Sequence, residues 1–321
     1  MRELVLGLSL ALRERVLPLL GSHAERAHGA KGEGGDITFS IDAAAEETLE
    51  AHLAEHAPDV AFYSEDRGLV APSGARTVLV VDPIDGTRPA LAGLESCCVS
   101  VAAAPLASPS KGSEGPTMGE VTIGCVVEIP SGVVFLAERS HGLVEGPPVR
   151  LSPTESLDHM FWTYGFRGRP ARATTEVLAE LIDGSSVGGA TFELGSAAFD
   201  MTRLLTGQLD AYVEPGPRII AEVPGMREQF EIVGGGAVLN NSPYDLAAAA
   251  LCLEEAGAIV TDCGGEPLSG RPLLGSGADF QMSIVAAANP RLHSAILEAL
   301  DDGIGRLTAA EGVSEAAVRG R

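Results

Sequence analysis

Lysine is nearly missing from this chain of 321 residues, because only Lys31 and Lys111 occur and arginine carries the remaining positive charge. The chain has 22 basic residues against 44 acidic ones, which gives a formal net charge of -22. A field of this sign repels the phosphates of nucleic acids and anionic membrane surfaces. The composition therefore argues against a nucleic-acid-binding function and against attachment to a charged membrane.

Aromatic residues are also scarce, at 4% of the chain. The five cysteines are odd in number, form no C-x-x-C motif and lie mostly in apolar runs, as Cys252 does. These features predict reduced, buried thiols in a cytoplasmic protein. No apolar run reaches the roughly 20 residues that a membrane-spanning helix needs. Charged residues flank the apolar stretch from Leu4 to Leu12, so we interpret it as an amphipathic first helix.

The remaining composition is typical of a globular protein, with 45% hydrophobic and 21% charged residues. The first helix is expected over residues 1–29, and a second over residues 43–56 with Asp42 at its N-cap. After residue 150, helix-like and strand-like segments alternate, which is typical of an α/β lobe. The expected organisation is an N-terminal α+β lobe over 1–150, a C-terminal α/β lobe over 151–300, and a loose tail over 301–321.

The most informative motif is Asp-Pro-Ile-Asp-Gly-Thr at residues 82–87, which follows a predicted strand at residues 77–81. A strand that ends in this way places Asp82 and Asp85 in a turn, where both carboxylates can face a common point. Hard divalent cations require such oxygen clusters. Gly86 allows close approach of the backbone to a ligand and offers N–H groups to an anion. Because an acidic protein needs cations to hold a phosphate, the motif predicts Mg²⁺ and phosphate binding.

Other motifs accompany this loop in order: residues 31–42 and Glu65 upstream, and Tyr244-Asp245 and Gly264-Gly265 downstream. Together they resemble the inositol monophosphatase family, which belongs to the lithium-sensitive, Mg²⁺-dependent phosphatases that include fructose-1,6-bisphosphatase. The segment from Thr38 to Glu46 is especially similar to the archaeal bifunctional inositol monophosphatase/fructose bisphosphatases. The resemblance extends over nearly the whole chain. It implies a layered αβαβα sandwich of α/β and α+β type, with the active site between the two lobes.

The resemblance also implies a set of metal ligands. Glu65, Asp82 and the Ile84 carbonyl would hold one Mg²⁺ ion. Asp82, Asp85 and Asp245 would hold a second. A third ion is known in the family at a mobile loop, so two or three ions are expected.

Catalytic and substrate-binding roles follow from the same resemblance. The Gly86 and Thr87 amides would bind the phosphate. The Thr87 hydroxyl, paired with Asp42, would help Glu65 to deprotonate the attacking water. The positions that match the family's substrate-contacting residues are Asp85, Gly195, Ser196, Ala197 and Glu214. The mobile loop of the family, which can carry the third ion, matches Lys31 and Asp36.

The implied function is hydrolysis of a small polyol or sugar phosphate by metal-activated water, with inositol monophosphate and fructose 1,6-bisphosphate as the first candidates. Two alternatives stay open. One is a dedicated phosphatase for another metabolite, such as histidinol phosphate, a nucleotide 3′-phosphate or a natural-product precursor. The other is a catalytically silent metal-binding homologue. The expected partner is a small-molecule phosphate ester, and because family members are often dimers, a homodimer is among the expected oligomeric states.

Several of these residues also have purely structural explanations. The pattern Ser242-x-x-Asp245 before an Ala-rich helix is typical of a capping box. Glu214 is placed equally well at the solvent-facing end of a strand. Residues 216–241 form an insertion between Glu214 and Asp245, and we expect it to overhang the pocket as a lid. Three arginines either hold a second phosphate or are simply solvated: Arg167, Arg169 and Arg172.

Overall fold

The computed structural model describes residues 1–24, 28–31, 37–106 and 115–319. Two large sheets and a two-stranded ribbon organise these residues. The ribbon pairs β1 (His28–Lys31) with β2 (Ile37–Phe39) in antiparallel orientation. Within the described ranges, no helix has the length and apolar character that crossing a bilayer requires.

The larger sheet has seven strands, all from the first half of the chain. They are β3 (Ala61–Ser64), β4 (Gly68–Val70), β5 (Thr77–Asp85), β6 (Cys98–Pro105), β7 (Ile123–Glu128), β8 (Val134–Glu138) and β9 (Gly142–Glu145). Their order in the sheet is β4-β3-β5-β6-β7-β8-β9. β3 and β5 are parallel, and the other neighbouring pairs are antiparallel.

The smaller sheet has five strands, all from the second half. They are β10 (Phe161–Tyr164), β11 (Ala190–Phe192), β12 (Ala211–Glu214), β13 (Ile259–Thr261) and β14 (Ile284–Ala287). Their order is β11-β10-β12-β14-β13. β10 runs parallel to both of its neighbours, whereas β14 is antiparallel to β12 and β13.

Helices cover the faces of both sheets. In the described part of the chain they are α1 (Arg2–Val16), α2 (Ser40–His56), α3 (Thr87–Ala92), α4 (Ala171–Gly184), α5 (Ala197–Leu205), α6 (Gly216–Glu222), α7 (Met226–Val233), α8 (Pro243–Ala256) and α9 (Pro290–Arg319). The central helix α8 packs against strands of both sheets. The division of the chain at residue 150 into two lobes stays a prediction.

The layers follow from the alternation of side chains along the strands. On β5, Val78 and Val80 join a core that includes α5 and α8, whereas Leu79 and Val81 join a core that includes α1 and α2. On the smaller sheet, Trp162 joins a third core with α4 and α9. The order is therefore helices, sheet, helices, sheet, helices, which confirms the predicted αβαβα sandwich.

The helices near the N-terminus differ from the prediction in their boundaries. The helix predicted over residues 1–29 ends at Val16 and continues as a 3-10 turn over Leu17–Leu19. It ends there because Pro18 has no backbone N–H to donate to the preceding turn of an α-helix. Helix α2 begins before Asp42, so Asp42 is not its N-cap. As the third residue of the helix, Asp42 accepts a hydrogen bond from the Phe39 N–H at 2.8 Å. Its carboxylate thus satisfies a backbone N–H at the start of α2, but from the third position of the helix rather than from the N-cap.

The tail predicted over residues 301–321 is wrong where the structure describes it. Helix α9 continues, and Ile304 and Leu307 are only 4% and 6% exposed in the core beneath the smaller sheet. Gly303, whose type suggested a helix break, instead permits close packing: a Cβ there would lie 2.2 Å from the Val177 carbonyl oxygen of α4. Tertiary packing therefore outweighs the helix-breaking tendency of glycine.

The segment 216–241 is mostly not a free lid. Its two helices bury Ile219, Met226 and Phe230 completely in the core beneath the smaller sheet. Its end, residues 239–241, reaches the cavity described below. The segment therefore belongs to the scaffold of the second half, and only its last residues line the cavity.

Candidate active site

Three aspartates, of which two are buried and Asp245 is half-buried, form a cluster where β5 ends and α8 begins. One carboxylate oxygen each from Asp82, Asp85 and Asp245 lies within 4.8 Å of the other two. Asp82 and Asp85 are 3% and 7% exposed. In the part of the chain that the structure describes, this is the one group of three or more acidic, histidine or cysteine side chains close enough to share a metal ion.

A bulge in β5 brings the first two carboxylates together. In a regular strand, residues three apart point to opposite faces of the sheet. Here Asp82 pairs with Ser100 and Asp85 with Cys98, so three steps along β5 match two along β6. The Ile84 N–H donates to Asp82 Oδ1 at 3.0 Å within the irregular segment. The extra residue turns both side chains toward the same site.

The second half of the chain holds Asp85 in place. Asp85 Oδ2 accepts hydrogen bonds from the Ser196 hydroxyl at 2.8 Å and from the Ala198 N–H at 2.5 Å. Ser196 is the N-cap of α5, and its Oγ also accepts from the Phe199 N–H at 3.2 Å. The start of α5 therefore fixes one carboxylate of the cluster, so the site is assembled across the contact between the two halves.

Asp245 caps the start of α8 and also belongs to the aspartate cluster. As the third residue of α8, its Oδ2 accepts from the Ser242 N–H at 2.6 Å, which satisfies one donor at the helix start. The same side chain belongs to the aspartate cluster. Tyr244 beside it is buried and stacks on Tyr63, with ring centroids 6.4 Å apart. The structural explanation and membership of the cluster are therefore both true of Asp245.

The electrostatics of the cluster favour a bound cation. Burial and the charges of Asp85, Glu65 and Asp245 raise the pKa of Asp82 well above its ordinary value. Burial raises the pKa of Asp85 to about 6, and burial with the Asp85 charge raises the pKa of Asp245 to about 7. Buried carboxylates that repel one another become stable as anions when a divalent cation lies between them. The donor set contains oxygen only, which fits Mg²⁺.

Gly86 occupies a position where no other residue fits. Its φ of +88° lies in the left-handed region, and a Cβ there would lie 2.6 Å from the Ser96 carbonyl oxygen and 2.9 Å from Ser196 Cβ. The chain can therefore pass close to α5 directly after the cluster. The binding of phosphate by the Gly86 and Thr87 amides stays a prediction.

The Thr87 hydroxyl lies between two acceptors. Thr87 Oγ1 is 3.2 Å from Asp42 Oδ1 and 3.1 Å from the Ile84 carbonyl oxygen. The structure thus brings together the pair that the sequence analysis expected. Asp42 itself is held at the start of α2 by its bond to the Phe39 N–H, so the threonine contacts a carboxylate that the helix has already oriented.

Glu65 follows β3 and lines the cavity above the cluster. Its negative charge is among the causes that raise the pKa of Asp82, which places it in electrostatic contact with the aspartates. Behind it, the Ser64 hydroxyl donates to Glu46 Oε2 at 2.9 Å. Glu46 is buried, and burial raises its pKa to about 7. Sequence reasoning gave Glu46 no role, although its position inside an otherwise Ala-rich segment of α2 was visible.

A cavity of about 460 Å³ lies over the cluster, with walls from both halves of the chain. Most of the predicted site residues line it: Glu65, Asp82, Ile84, Asp85, Gly86, Thr87, Gly195, Ser196, Ala197 and Asp245. Asp42 is not among the lining residues, but it accepts a hydrogen bond from Thr87, which is. Asp36 and the Lys31 side chain fall outside the described residues.

Glu214 does not reach the cavity, contrary to the prediction that it contacts substrate. Its side chain is fully buried and forms an ion pair with Arg169, and its Oε1 accepts from the Gly216 N–H at 2.8 Å. The solvent-facing alternative is also wrong. Arg169 covers Glu214 and lines the cavity in its place.

Sequence reasoning missed several cavity-lining residues. The rings of Tyr164 and Phe166 pack edge to face, with centroids 5.9 Å apart. Asp200 is buried on α5, three residues after the end of the predicted segment 195–197. The buried side-chain amide of Asn240 makes no hydrogen bond within the described ranges. The alternating aromatic residues at the end of β10 and the Asn-Asn pair before α8 were the available signals.

Comparison with known proteins agrees with this geometry. The sequence model of the inositol monophosphatase family matches residues 3–304. A fructose-1,6-bisphosphatase/inositol-1-monophosphatase of Methanothermobacter thermautotrophicus is 27% identical over 307 residues, which cover 92% of this chain and 96% of that protein. The Nus factor SuhB of Vibrio cholerae is 24% identical over 279 residues, 86% of each chain.

Solved structures show the same fold. An inositol monophosphatase from Thermotoga maritima superposes with a TM-score of 0.67 at 21% identity, over 96% of this chain and all (100%) of that one. The extragenic suppressor protein SuhB of Bartonella henselae gives a TM-score of 0.68 at 20% identity, over 93% of this chain and 97% of that one.

Proposed function

Because the chain belongs to the inositol monophosphatase family, we propose that it uses Mg²⁺ to hydrolyse a small polyol or sugar phosphate. The chain is an enzyme, a metal-dependent phosphatase of phosphate monoesters. Inositol monophosphate and fructose 1,6-bisphosphate are the first candidates, since the names of relatives carry both activities. The observation that carries the proposal is the cluster of Asp82, Asp85 and Asp245 beneath a cavity formed by both halves.

The metal ligands of the proposal are the oxygens that line the floor of the cavity. Glu65, Asp82 and the Ile84 carbonyl would hold one ion, and Asp82, Asp85 and Asp245 a second. When bound, such cations polarise the phosphoryl group and lower the pKa of a bound water. The proposal of two or three ions is supported by the number of convergent carboxylates.

The chain's own residues would position the phosphate and the water. Gly86 and Thr87 amides would donate to the phosphate oxygens. With its hydrogen donated to Asp42, the Thr87 hydroxyl would accept a hydrogen bond from a water in the cavity through its lone pairs. Glu65, which lines the same cavity, would then accept the proton of that water. Ser196 would fix Asp85 while charge develops on the phosphate.

The test is phosphate release from a panel of phosphomonoesters with Mg²⁺, with EDTA and with added Li⁺. We expect turnover with Mg²⁺ that EDTA abolishes and Li⁺ inhibits, and that Asp82→Asn removes by at least about 1000-fold. Asp302→Asn, on the exposed face of α9, is the matched control and should behave like the natural enzyme. Turnover of the inositol or fructose esters would identify the substrate class.

Other outcomes separate the alternatives. Activity confined to another ester, such as histidinol phosphate or a nucleotide 3′-phosphate, would replace the proposed substrate and retain the mechanism. Binding of Mg²⁺ without hydrolysis of any ester would support the catalytically silent homologue and overturn the proposed function.

The proposal includes a cytoplasmic location and a homodimer. All five cysteines are buried and unpaired, and burial raises the pKa of Cys97 and of Cys125 to about 12. Unreactive thiols of this kind suit a reducing compartment.

Light scattering of the purified protein tests the proposed homodimer, and a monomer at micromolar concentration would contradict it.

A further inference from the structure

A second cavity, of about 380 Å³, lies outside the active site. The segment 216–241 contributes about half of its lining, and residues 262–283 contribute the rest. None of the clustered aspartates is among its described lining residues. A volume of this size is within the range of about 300–1000 Å³ that is typical of small-molecule sites. The proposed phosphatase reaction makes no use of this space, so the second cavity needs an explanation of its own.

The second cavity shares a wall with the active site. Asn240 and Gln281 line both cavities. Both ends of the Gln281 amide are bonded, because Nε2 donates to the Val238 carbonyl oxygen at 2.7 Å and Oε1 accepts from the Asn240 N–H at 3.3 Å. Gln281 therefore holds the backbone of this wall in place. A molecule in the second cavity would contact the wall of the active site from the other side.

The side-chain amide of Asn240 has no partner in this wall. Asn240 is only 9% exposed, and neither its Oδ1 nor its Nδ2 makes a hydrogen bond to the described residues. A Cβ at Gly216 would lie 2.2 Å from Asn240 Oδ1, so the glycine leaves room for the amide. A buried amide without partners destabilises a folded protein. An occupant of the cavity that bonds to Asn240 would remove this penalty.

Three of the charged side chains that line the second cavity are already compensated. Arg218 forms ion pairs with Glu222 at 2.8 Å and with Asp301 at 2.6 Å. Asp262 Oδ1 accepts two backbone N–H groups of the turn that follows it, at 2.8 and 2.9 Å. Arg218, Glu222 and Asp262 therefore leave little charge for an occupant to neutralise.

Arg271 and Arg227 supply positive charge that is not compensated in this way. Among the residues that the structure describes, no carboxylate forms an ion pair with either arginine. Arg271 is half-buried, and its Nη2 donates to the Gln281 carbonyl oxygen at 3.1 Å, so its guanidinium lies beside the shared wall. Arg227 and the remaining acid of the lining, Asp279, are both exposed to solvent. The more buried part of the lining therefore offers a guanidinium and an unpartnered amide.

We propose that the second cavity binds a small organic anion, whose carboxylate or phosphate group contacts Arg271 and the Asn240 amide. The guanidinium would form charge-assisted hydrogen bonds with the anionic group. The body of the molecule would pack on the apolar part of the lining, which includes Ile220 and Met282. Binding there requires no metal ion and no hydrolysis of an ester. A metabolite other than the substrate could thus bind against the active-site wall without entering the active site.

Three probes that share a benzene ring test this site: phenylphosphonate, benzoate and the neutral benzyl alcohol. The reporter is Met282, which lines the second cavity but is not among the described lining residues of the active site. The full-length protein with Mg²⁺ and ¹³C-labelled methionine methyl groups is titrated by NMR. We expect the Met282 signal to shift, with a dissociation constant about 10- to 100-fold lower for the tighter anion than for the alcohol. The order of the two anions shows whether the site prefers phosphate or carboxylate groups.

Substitution of Arg271 tests the source of this preference. In Arg271→Gln the preference for the anions over the alcohol should fall by about 10- to 100-fold, and Arg271→Lys should retain part of it because the charge remains. Arg172→Gln is the matched control, since Arg172 is an exposed residue of α4 outside the lining of both cavities. It should leave the preference unchanged.

Three results would overturn the proposal. They are an unshifted Met282 signal with both anions, equal affinity of the natural protein for anion and alcohol, and an unchanged preference in Arg271→Gln. The first two comparisons use the natural protein, so they decide the question even where a variant fails to fold. All of these readouts measure binding, so they stay informative if the protein hydrolyses no ester and the proposed function fails.

Discussion

Ser196 donates a hydrogen bond to Asp85 Oδ2 at 2.8 Å, although the two residues are 111 positions apart in the chain. Asp85 ends β5 of the larger sheet, and Ser196 starts α5 in the second half. A carboxylate of the candidate metal site is therefore oriented by the end of a helix in the other half. The contact makes Ser196 a positioning residue rather than a ligand.

Ser196→Ala should weaken both the site and the helix. Loss of the charge-assisted bond to Asp85 should raise the Mg²⁺ concentration for half-maximal activity by about 10-fold. Loss of the N-cap should cost about 1 kcal/mol of unfolding free energy. Activity titrations and urea unfolding measure the two effects. Ser294→Ala, which removes an exposed hydroxyl of α9, is the control, and an equal effect of both changes would contradict the role of Ser196.

Asp245→Asn should stabilise the metal-free protein while removing its response to Mg²⁺. Burial and the Asp85 charge oppose ionisation of Asp245, whereas an asparagine still accepts from the Ser242 N–H. We expect the melting temperature without metal at about pH 8 to rise by about 2–4 °C, corresponding to about 1 kcal/mol. The increase in melting temperature that Mg²⁺ gives the natural protein should disappear. A lower melting temperature without metal would show that the repulsion within the cluster is unimportant.

The stability of the metal-free protein should fall as the pH rises from about 4 to about 7. In this range the unfolded chain has released the protons of Asp85, Asp245 and Glu46, whereas the folded chain retains them, since their pKa values are raised to about 6, 7 and 7. Over the same window Mg²⁺ should bind more tightly with rising pH, because it replaces those protons. Thermal unfolding across this range, with and without Mg²⁺, measures both trends. A Mg²⁺ affinity independent of pH would contradict the assignment of the ligands.

Gly86→Ala should be far more damaging than Gly257→Ala. Both glycines have φ of +88°, so both changes carry the same cost of a left-handed alanine, about 1–2 kcal/mol. Only at Gly86 would the Cβ meet the Ser96 carbonyl, at 2.6 Å, whereas Gly257 has nothing within 4 Å. The difference in unfolding free energy isolates the steric term. Activity should be lost in Gly86→Ala alone, and similar losses in both variants would refute the close approach.

The layered fold and the main loop of the site were predictable because their signals are local. The β-branched run before Asp82, the Asp-Gly pair and the Ala-rich segment after Ser242 each specify their own structure. The order of these motifs then indicated the family that the comparison found. The αβαβα sandwich follows once the helices and strands occupy those positions.

Other features depend on contacts between distant segments, and no local pattern predicts them. Glu214 looked like a residue that contacts substrate or solvent, but Arg169, 45 positions earlier, covers it. Gly303 and the polar residues around it looked like a tail, but the carbonyl of Val177 needs a residue without a side chain there. The bulge that turns Asp82 and Asp85 toward one site is visible only when β6 is paired with β5.

The division of the aspartates between the two halves has a consequence for split versions of the protein. Asp82 and Asp85 belong to the first half, and Asp245 to the second. If the protein were expressed as two polypeptides, divided in the connection between β9 and β10, neither polypeptide alone would contain all three aspartates. Association of the two polypeptides would restore the complete cation site. Because Mg²⁺ would bind only the associated pair, it would stabilise that pair relative to the separate polypeptides.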